Sequence, residues 1–271
     1  MSSDLRHLIP FVGDWVGHGG NLLLMTHYDG TLTPIVDDPA DAGLTESVRA
    51  DLRALATAPR SRVAVISGRD LADLRARVAV PGLIYVGCHG LEVDGGGFRF
   101  THPAAHAEQD NISALSLALC HAAPFVEGLR VEPKRLGVAV HYRRVADSAL
   151  PEVESMLTRS LRCRRSPFTV LHGRKVVEIL PKVGWTKGHC AVWIVDRIVD
   201  DLPPPVLAIY IGDSRTDEHT FAALRGRALT IGVGDAVPPY QAAAYRLSDV
   251  GEVQRLVAAI ASTGAAARSV W

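Results

Sequence analysis

Asp29, Thr31, Ser67, Lys187, Asp213 and Asp217 are the residues of this 271-residue chain whose types and spacing could carry chemistry. Asp29 and Thr31 fall in His27-Tyr28-Asp29-Gly30-Thr31-Leu32, directly after the apolar run Asn21-Leu22-Leu23-Leu24-Met25-Thr26. Such a run ending in Asp-Gly-Thr reads as a buried strand entering a tight turn, which leaves polar side chains and free backbone N–H groups at the strand's carboxyl end. Open α/β sheets bind their ligands there. Ser67-Gly68-Arg69, Lys187-Gly188 and Gly212-Asp213-Ser214-Arg215-Thr216-Asp217 follow in order. Carboxylates can act as acid and base, and a hydroxyl with a lysine can hold an oxyanion. His27, the last residue before the turn, is the odd member of the set.

Taken singly, each residue has a plainer reading. Asp29-Gly30 is a common turn pair. Ser67 could cap a helix expected to begin near Asp70, a role compatible with holding an anion because a helix N-terminus favours both. Lys187 alone would be a surface lysine, but it heads the apolar stretch Ala191–Val195. Asp217 and Glu218 could be first-turn acids of a helix starting near Thr216. The order of the four motifs along one α/β pattern is what favours a site.

The elements that must position these residues are apolar strands at Asn21–Thr26, Arg62–Ile66, Leu83–Gly87, Val206–Ile211 and Leu229–Gly232, alternating with helical patterns at Thr45–Ala56 and Asp70–Val78. That alternation implies an α/β fold with a parallel sheet, closed by a last helix over Val250–Ser262. Residues 103–179 read differently: a helix over Asn111–Phe125, paired strands at Leu129–Lys134 and Gly137–Arg144, a helix over Ser148–Leu161, and a hairpin over Phe168–Leu180 turning at His172-Gly173-Arg174. The expected organisation is a core of residues 1–102 and 180–271 with an inserted α+β cap of residues 103–179. Asp201-Leu202-Pro203-Pro204-Pro205 is a stiff lead into a strand.

Twenty-nine basic and 29 acidic residues balance without a long block of one sign, so a broad footprint for nucleic acid or an anionic membrane is absent. Small molecules are the expected partners. Residues 1–20 lack a continuous apolar segment of secretory type, which points to a cytoplasmic protein. The stretch Asn111–Val126 is short of a membrane span. Four scattered cysteines, with no CxxC pair, indicate reduced residues rather than zinc or a disulfide framework.

The four motifs resemble those of haloacid dehalogenase-type phosphatases. Within that superfamily the chain resembles the trehalose-6-phosphate phosphatases, through His27–Leu32, Val36-Asp37-Asp38-Pro39, Ile66–Arg69, His89-Gly90-Leu91-Glu92 and Gly212–Glu218, and in the expected cap through Val131–Lys134, His141-Tyr142-Arg143 and Val177–Pro181. The resemblance implies a HAD-like Rossmannoid core, a magnesium-dependent phosphomonoesterase activity that passes through an aspartyl-phosphate, and a sugar phosphate as substrate. It implies that Asp29 is the acid/base and that Thr31, Ser67, Gly68, Arg69 and Lys187 hold phosphoryl oxygens. Asp29, through its carbonyl, and Asp213 would bind magnesium, with Asp217 in support. Glu132, Lys134 and Glu178 would hydrogen-bond the sugar, with His89, Glu92, His141 and Arg143 near its path. His89 and His141 read equally as core histidines, and Lys134 and Arg143 as the solvated face of a sheet.

Two departures stand out. His27 occupies the position of the nucleophilic aspartate, and Ser214 that of a second aspartate beside the metal. Both remove negative charge from the expected magnesium shell, which weakens the case for a hard cation. An imidazole cannot both ligate metal and attack phosphorus, and a longer ring misplaces its nitrogen, where ~1 Å can cost ~100-fold. A protonated His27 between Asp29 and Asp213 could instead stand in for the metal. The expected function is therefore trehalose-6-phosphate hydrolysis impaired at position 27. The alternative is a pseudo-phosphatase that binds a sugar phosphate, or a synthase partner, without turnover.

Overall fold

A strand can be buried over six consecutive residues only when both its faces are covered. In the computed structural model, which describes residues 1–162, 167–198, 200–235 and 240–266, β1 (Asn21–His27) is such a strand, buried from Asn21 to Thr26. It pairs in parallel with β2 (Ser61–Ile66) on one side and β10 (Val206–Gly212) on the other. β3 (Ile84–Gly87) continues the parallel ladder beyond β2, while β11 (Leu229–Val233) and β12 (Tyr245–Leu247) continue it beyond β10. With β4 (Glu92–Gly95), antiparallel to β3, and β5 (Phe98–Thr101), the sheet order is β12-β11-β10-β1-β2-β3-β4-β5.

Alternate residues of these strands serve opposite faces. Leu22, Leu24, Val63, Val65, Ile209 and Ile211 share a core with Leu5, Leu8 and Val12 of α1 (Ser3–Gly17), Val48, Leu52 and Leu55 of α2 (Glu46–Ala56), and Leu256, Val257 and Ile260 of α9 (Val250–Ala266). Each such burial contributes roughly 1.5–3 kcal/mol. α7 (Lys187–Ile198) packs on β1 and α8 (Arg215–Ala223) on β10, where Leu23, Met25, Cys190, Ile194 and Phe221 are buried.

The chain divides into two compact units, Met1–Arg99 with Thr186–Trp271, and Phe100–Trp185. In the second, β6 (Arg130–Lys134), β7 (Gly137–His141), β8 (Phe168–Gly173) and β9 (Val176–Pro181) form an antiparallel sheet in the order β6-β7-β9-β8. Val138, Val140, Val177 and Ile179 pack on Leu115 and Leu119 of α5 (Gln109–Ala122) and Met156 of α6 (Leu150–Arg162). Ala139 pairs with Glu132 on one side and Glu178 on the other, so the alternation that buries the valines puts both carboxylates on the face away from these helices.

The strands and helices expected from sequence are present with shifted ends. Thr45 and Asp70 are N-caps rather than first helical residues. Asp70 therefore caps the helix that Ser67 was a candidate to cap, its side chain accepting from the N–H of Ala72. α5 ends at Ala122 and a 3₁₀ turn, Ala123–Phe125, follows it; Pro124, having no N–H, cannot extend the α-helical ladder. The hairpin turns at Arg174-Lys175, with His172 and Gly173 still in β8 and Lys175 at φ 62°. α1, α4 (Pro103–Ala107), α7, β4, β5 and β12 were not anticipated. Cys88, Cys120 and Cys190 are free thiols, and Cys163 lies outside the described residues. No helix among the described residues is long and apolar enough to cross a membrane.

Candidate functional site

Strand order decides where the site falls. From β1 the chain works outward through β2 and β3, and later returns on the opposite side through β10, β11 and β12. The order reverses between β1 and β10, and the carboxyl ends of strands at such a point frame a crevice. His27 ends β1 and Asp213 directly follows β10.

His27 Nδ1 lies 3.0 Å from Asp213 Oδ1 and 3.2 Å from Asp217 Oδ2. Asp217 is fully buried: its Oδ1 accepts from Lys187 Nζ at 2.8 Å and from the Tyr210 hydroxyl at 2.6 Å. Its Oδ2 accepts from the backbone N–H groups of Asp213 and Ser214 at 3.2 and 2.9 Å, and from the Ser214 hydroxyl at 2.6 Å. Ser214 is the N-cap of α8, and with Asp217 it forms a reciprocal capping box. Asp217 thus works as a helix start and as counter-ion to two cations.

Burial and the neighbouring Lys187 ammonium disfavour charge on His27, but the Asp217 charge and the hydrogen bonds that His27 donates to Asp213 and Asp217 outweigh them and hold the imidazole pKa up at about 9. Burial alone would raise the Asp217 carboxyl; Lys187 and His27 instead hold it well below the usual carboxylate range. At neutral pH the cluster therefore sets a His27 imidazolium against the Asp217 carboxylate.

Two glycines permit this approach. Gly30 has φ +81°, and a Cβ there would lie 2.1 Å from Asp213 Oδ2; a Cβ at Gly212 would lie 2.4 Å from Asp217 Cγ. Thr31 donates to Asp213 Oδ1 at 2.8 Å. Ser67, at the end of β2, has its carbonyl held by His89 N–H at 3.0 Å, and Cys88 N–H donates to Arg69 O at 2.8 Å. The loop after β3 therefore fixes the Ser67 turn, with Cys88 and His89 at positive φ. Gly68 and Arg69 complete that turn ahead of α3 (Leu71–Val78).

Arg69, expected among phosphoryl ligands, spends its guanidinium elsewhere. Nε and Nη2 grip Asp29 bidentately at 2.8 and 2.7 Å, Nη1 donates to Asp73 at 2.9 Å, and Nη2 also reaches Pro39 O at 2.9 Å. Asp29 is thus oriented by an arginine rather than by the His27 cluster. His89 and Glu92 are buried in the first unit beside β3, with Cys88 Sγ 3.8 Å from Glu92 Oε2. In the second unit, Lys134 bonds Glu178 and His141 Nε2 lies 2.8 Å from Glu132 Oε2, so four of the expected sugar-contacting residues form two hydrogen-bonded pairs. Arg143 points instead to the hairpin turn, donating to Arg174 O at 3.0 Å.

His27, Asp213 and Asp217 bring one possible metal-ligating atom each to within 4.8 Å of one another. The donor chemistry does not fit a hard divalent cation. Such ions take oxygen ligands, whereas the His27 nitrogen facing these carboxylates donates to them. Both Asp217 oxygens already accept from protein donors, and Asp213 Oδ1 accepts from Thr31 and His27. Tyr210 and Ser214 are members of the cluster that sequence reasoning missed in these roles. Tyr210 lies in a strand where an aromatic reads as core; the signal for Ser214 was the Ser-x-x-Asp spacing of a capping box.

A mostly parallel sheet with a two-sided helical cover and a site at this strand end is a core of the haloacid dehalogenase-like fold. Structural comparison agrees: the C-terminal domain of Candida albicans trehalose-6-phosphate phosphatase superposes with a TM-score of 0.76 at 22% identity, covering 94% of this chain and 97% of that one. The trehalose-phosphatase family profile matches residues 25–247, and the chain belongs to that family. It is 37% identical over 198 residues to the trehalose-phosphate phosphatase of Mycobacterium marinum, covering 73% of this chain and 50% of that protein. It is 42% identical over 201 residues to an uncharacterised glycosyl hydrolase of Mycobacterium tuberculosis, covering 73% of this chain and 15% of that protein. The chain spans half the length, or less, of these relatives.

Proposed function

We propose that this chain recognises trehalose 6-phosphate through a trehalose-phosphatase site whose hydrolytic step is severely impaired by His27. The observation that carries the reading is the convergence of Thr31, Lys187, Asp213 and Asp217 at the β1/β10 reversal with an imidazole where the family's nucleophilic carboxylate belongs. Lys187 keeps donors beyond the one given to Asp217, because an ammonium has three. With the Ser67 hydroxyl it holds the phosphoryl oxygens, whereas Thr31, expected among these ligands, spends its one hydroxyl proton on Asp213. Asp29, kept in place by Arg69, is the acid/base candidate for the leaving sugar oxygen. Glu132, Lys134, His141 and Glu178 share the polar face of the second unit's sheet, a set of donors and acceptors of the kind that sugar hydroxyls pair with.

Covalent phosphatase chemistry asks one side chain to attack phosphorus and then leave. His27 points Nδ1 at two carboxylates and is held protonated, so its lone pair is not available for attack. Loss of a nucleophile from a covalent mechanism removes factors on the order of 10⁶. A second reading is favoured by the same residue: a pseudo-phosphatase that binds the sugar phosphate, or a synthase partner, as a regulatory module. Calorimetric titration with trehalose 6-phosphate tests the recognition reading. The expected result is binding at least ~10-fold tighter than for either trehalose or inorganic phosphate alone; equal affinities for trehalose 6-phosphate and phosphate would refute sugar recognition.

A further inference from the structure

At the β1/β10 crevice the carboxylate oxygens already have donors from the chain. His27 Nδ1 lies 3.0 Å from Asp213 and 3.2 Å from Asp217, and Lys187 Nζ lies 2.8 Å from Asp217. Asp29, two residues past the end of β1, is gripped separately by the bidentate Arg69 at 2.7 Å. An aspartate at position 27 would put a third carboxylate beside Asp213 and Asp217, a set of oxygens of the kind that holds a hard divalent cation. His27 instead puts an N–H between those two carboxylates, in the place such a cation would take. The remaining oxygens agree: Asp217 has both carboxylate oxygens committed to five protein donors, none of which a metal could displace without leaving a buried donor unpaired.

We infer that this site takes the dianionic phosphate of a phosphate monoester, or inorganic phosphate, without a divalent cation, with His27 filling the place of the metal. The inference rests on the proposed sugar-phosphate reading for its larger ligand, but not for its phosphate chemistry. A phosphate near neutral pH carries ~1.5–2 negative charges and three acceptor oxygens. Only Nδ1 of His27 is turned to the carboxylates, which leaves the Nε2 edge of the ring outside that pair. Lys187, whose side chain is 2% exposed, gives Asp217 one of its three donors and keeps the others for phosphate oxygens. Charge-assisted hydrogen bonds of this kind are about twice as strong as neutral ones.

The test is calorimetric titration of the whole chain with inorganic phosphate and with trehalose 6-phosphate, each in EDTA and in magnesium. The chain should bind phosphate with the same affinity in both buffers, and magnesium chloride alone should give no binding heat. His27→Asp should bind phosphate on the order of 100-fold more weakly in EDTA, recover in magnesium, and itself bind magnesium. His27→Asn, neutral and similar in shape, serves if the aspartate variant fails to fold without metal, and should weaken phosphate binding in both buffers. Phosphate affinity in the parent chain that rises ~10-fold or more with magnesium would overturn the inference, as would retention of full affinity by His27→Asn. Metal-free binding of phosphate with no gain from the sugar would uphold the inference and refute sugar recognition. Tight binding of trehalose 6-phosphate only in magnesium would do the reverse.

Discussion

Raising the pH from about 6 to about 9.5 strips the proton that His27 holds between Asp213 and Asp217, and the fold should weaken by a calculable amount. The imidazole titrates at 6.5 in an unperturbed chain and at about 9 in the folded one. A group whose folded pKa is raised contributes stability that is fully present below its unfolded value and is lost as pH climbs through its folded value. At ~1.36 kcal/mol per pKa unit, the window from 6.5 to about 9 corresponds to ~3 kcal/mol. Because the His27 side chain is 12% exposed, solvent screening takes little of this away. Urea unfolding of the chain and of His27→Gln, measured side by side across this range, isolates the effect, since every other titrating group is common to both. The parent's advantage over His27→Gln should shrink by ~3 kcal/mol between the two ends. A gap that stays constant with pH would refute the picture of a buried imidazolium clamped by two carboxylates.

The other expectations concern the groups around it. Lys187→Met leaves the Asp217 carboxylate buried with one cation removed and should cost ~3–5 kcal/mol in urea unfolding, much of it recovered in the double variant with Asp217→Asn. Tyr210→Phe keeps the ring packed on Phe221 and deletes only the bond to Asp217, so ~1.5–3 kcal/mol should be lost; a neutral result would exclude the hydroxyl from the network. Gly30→Ala forces a side chain into positive φ and against Asp213 Oδ2, and a melting temperature equal to that of the parent would contradict the close approach of the two loops.

Much of the core site could be read before its geometry was known, because its chemistry sits at the ends of apolar runs. Leu22–Met25 marks β1, and Asp-Gly-Thr after it marks a strand end; Val206–Ile211 does the same for Asp213. What escaped depends on long-range pairing. Arg69 meets Asp29 across 40 positions, and nothing local distinguishes an arginine aimed at a phosphate from one aimed at a carboxylate. Tyr210 looks like one more apolar strand residue until Asp217 is seen beneath its hydroxyl. α1 carries Pro10 inside the helix, a residue that ordinarily argues against one, and β12 spans only Tyr245–Leu247. In the second unit the period-2 pattern placed Glu132 and Lys134 on one face, whereas their partners are His141 of the adjacent β7 and Glu178 of β9, one strand further, whose register the sequence alone leaves open.

The most direct measurement is phosphate release from trehalose 6-phosphate in magnesium, run on this chain and on His27→Asp together. The account predicts no detectable turnover by the chain and turnover by His27→Asp, the mark of a family site intact but for its nucleophile. Turnover by the chain as it stands, at a rate equal to or above that of His27→Asp, would contradict it.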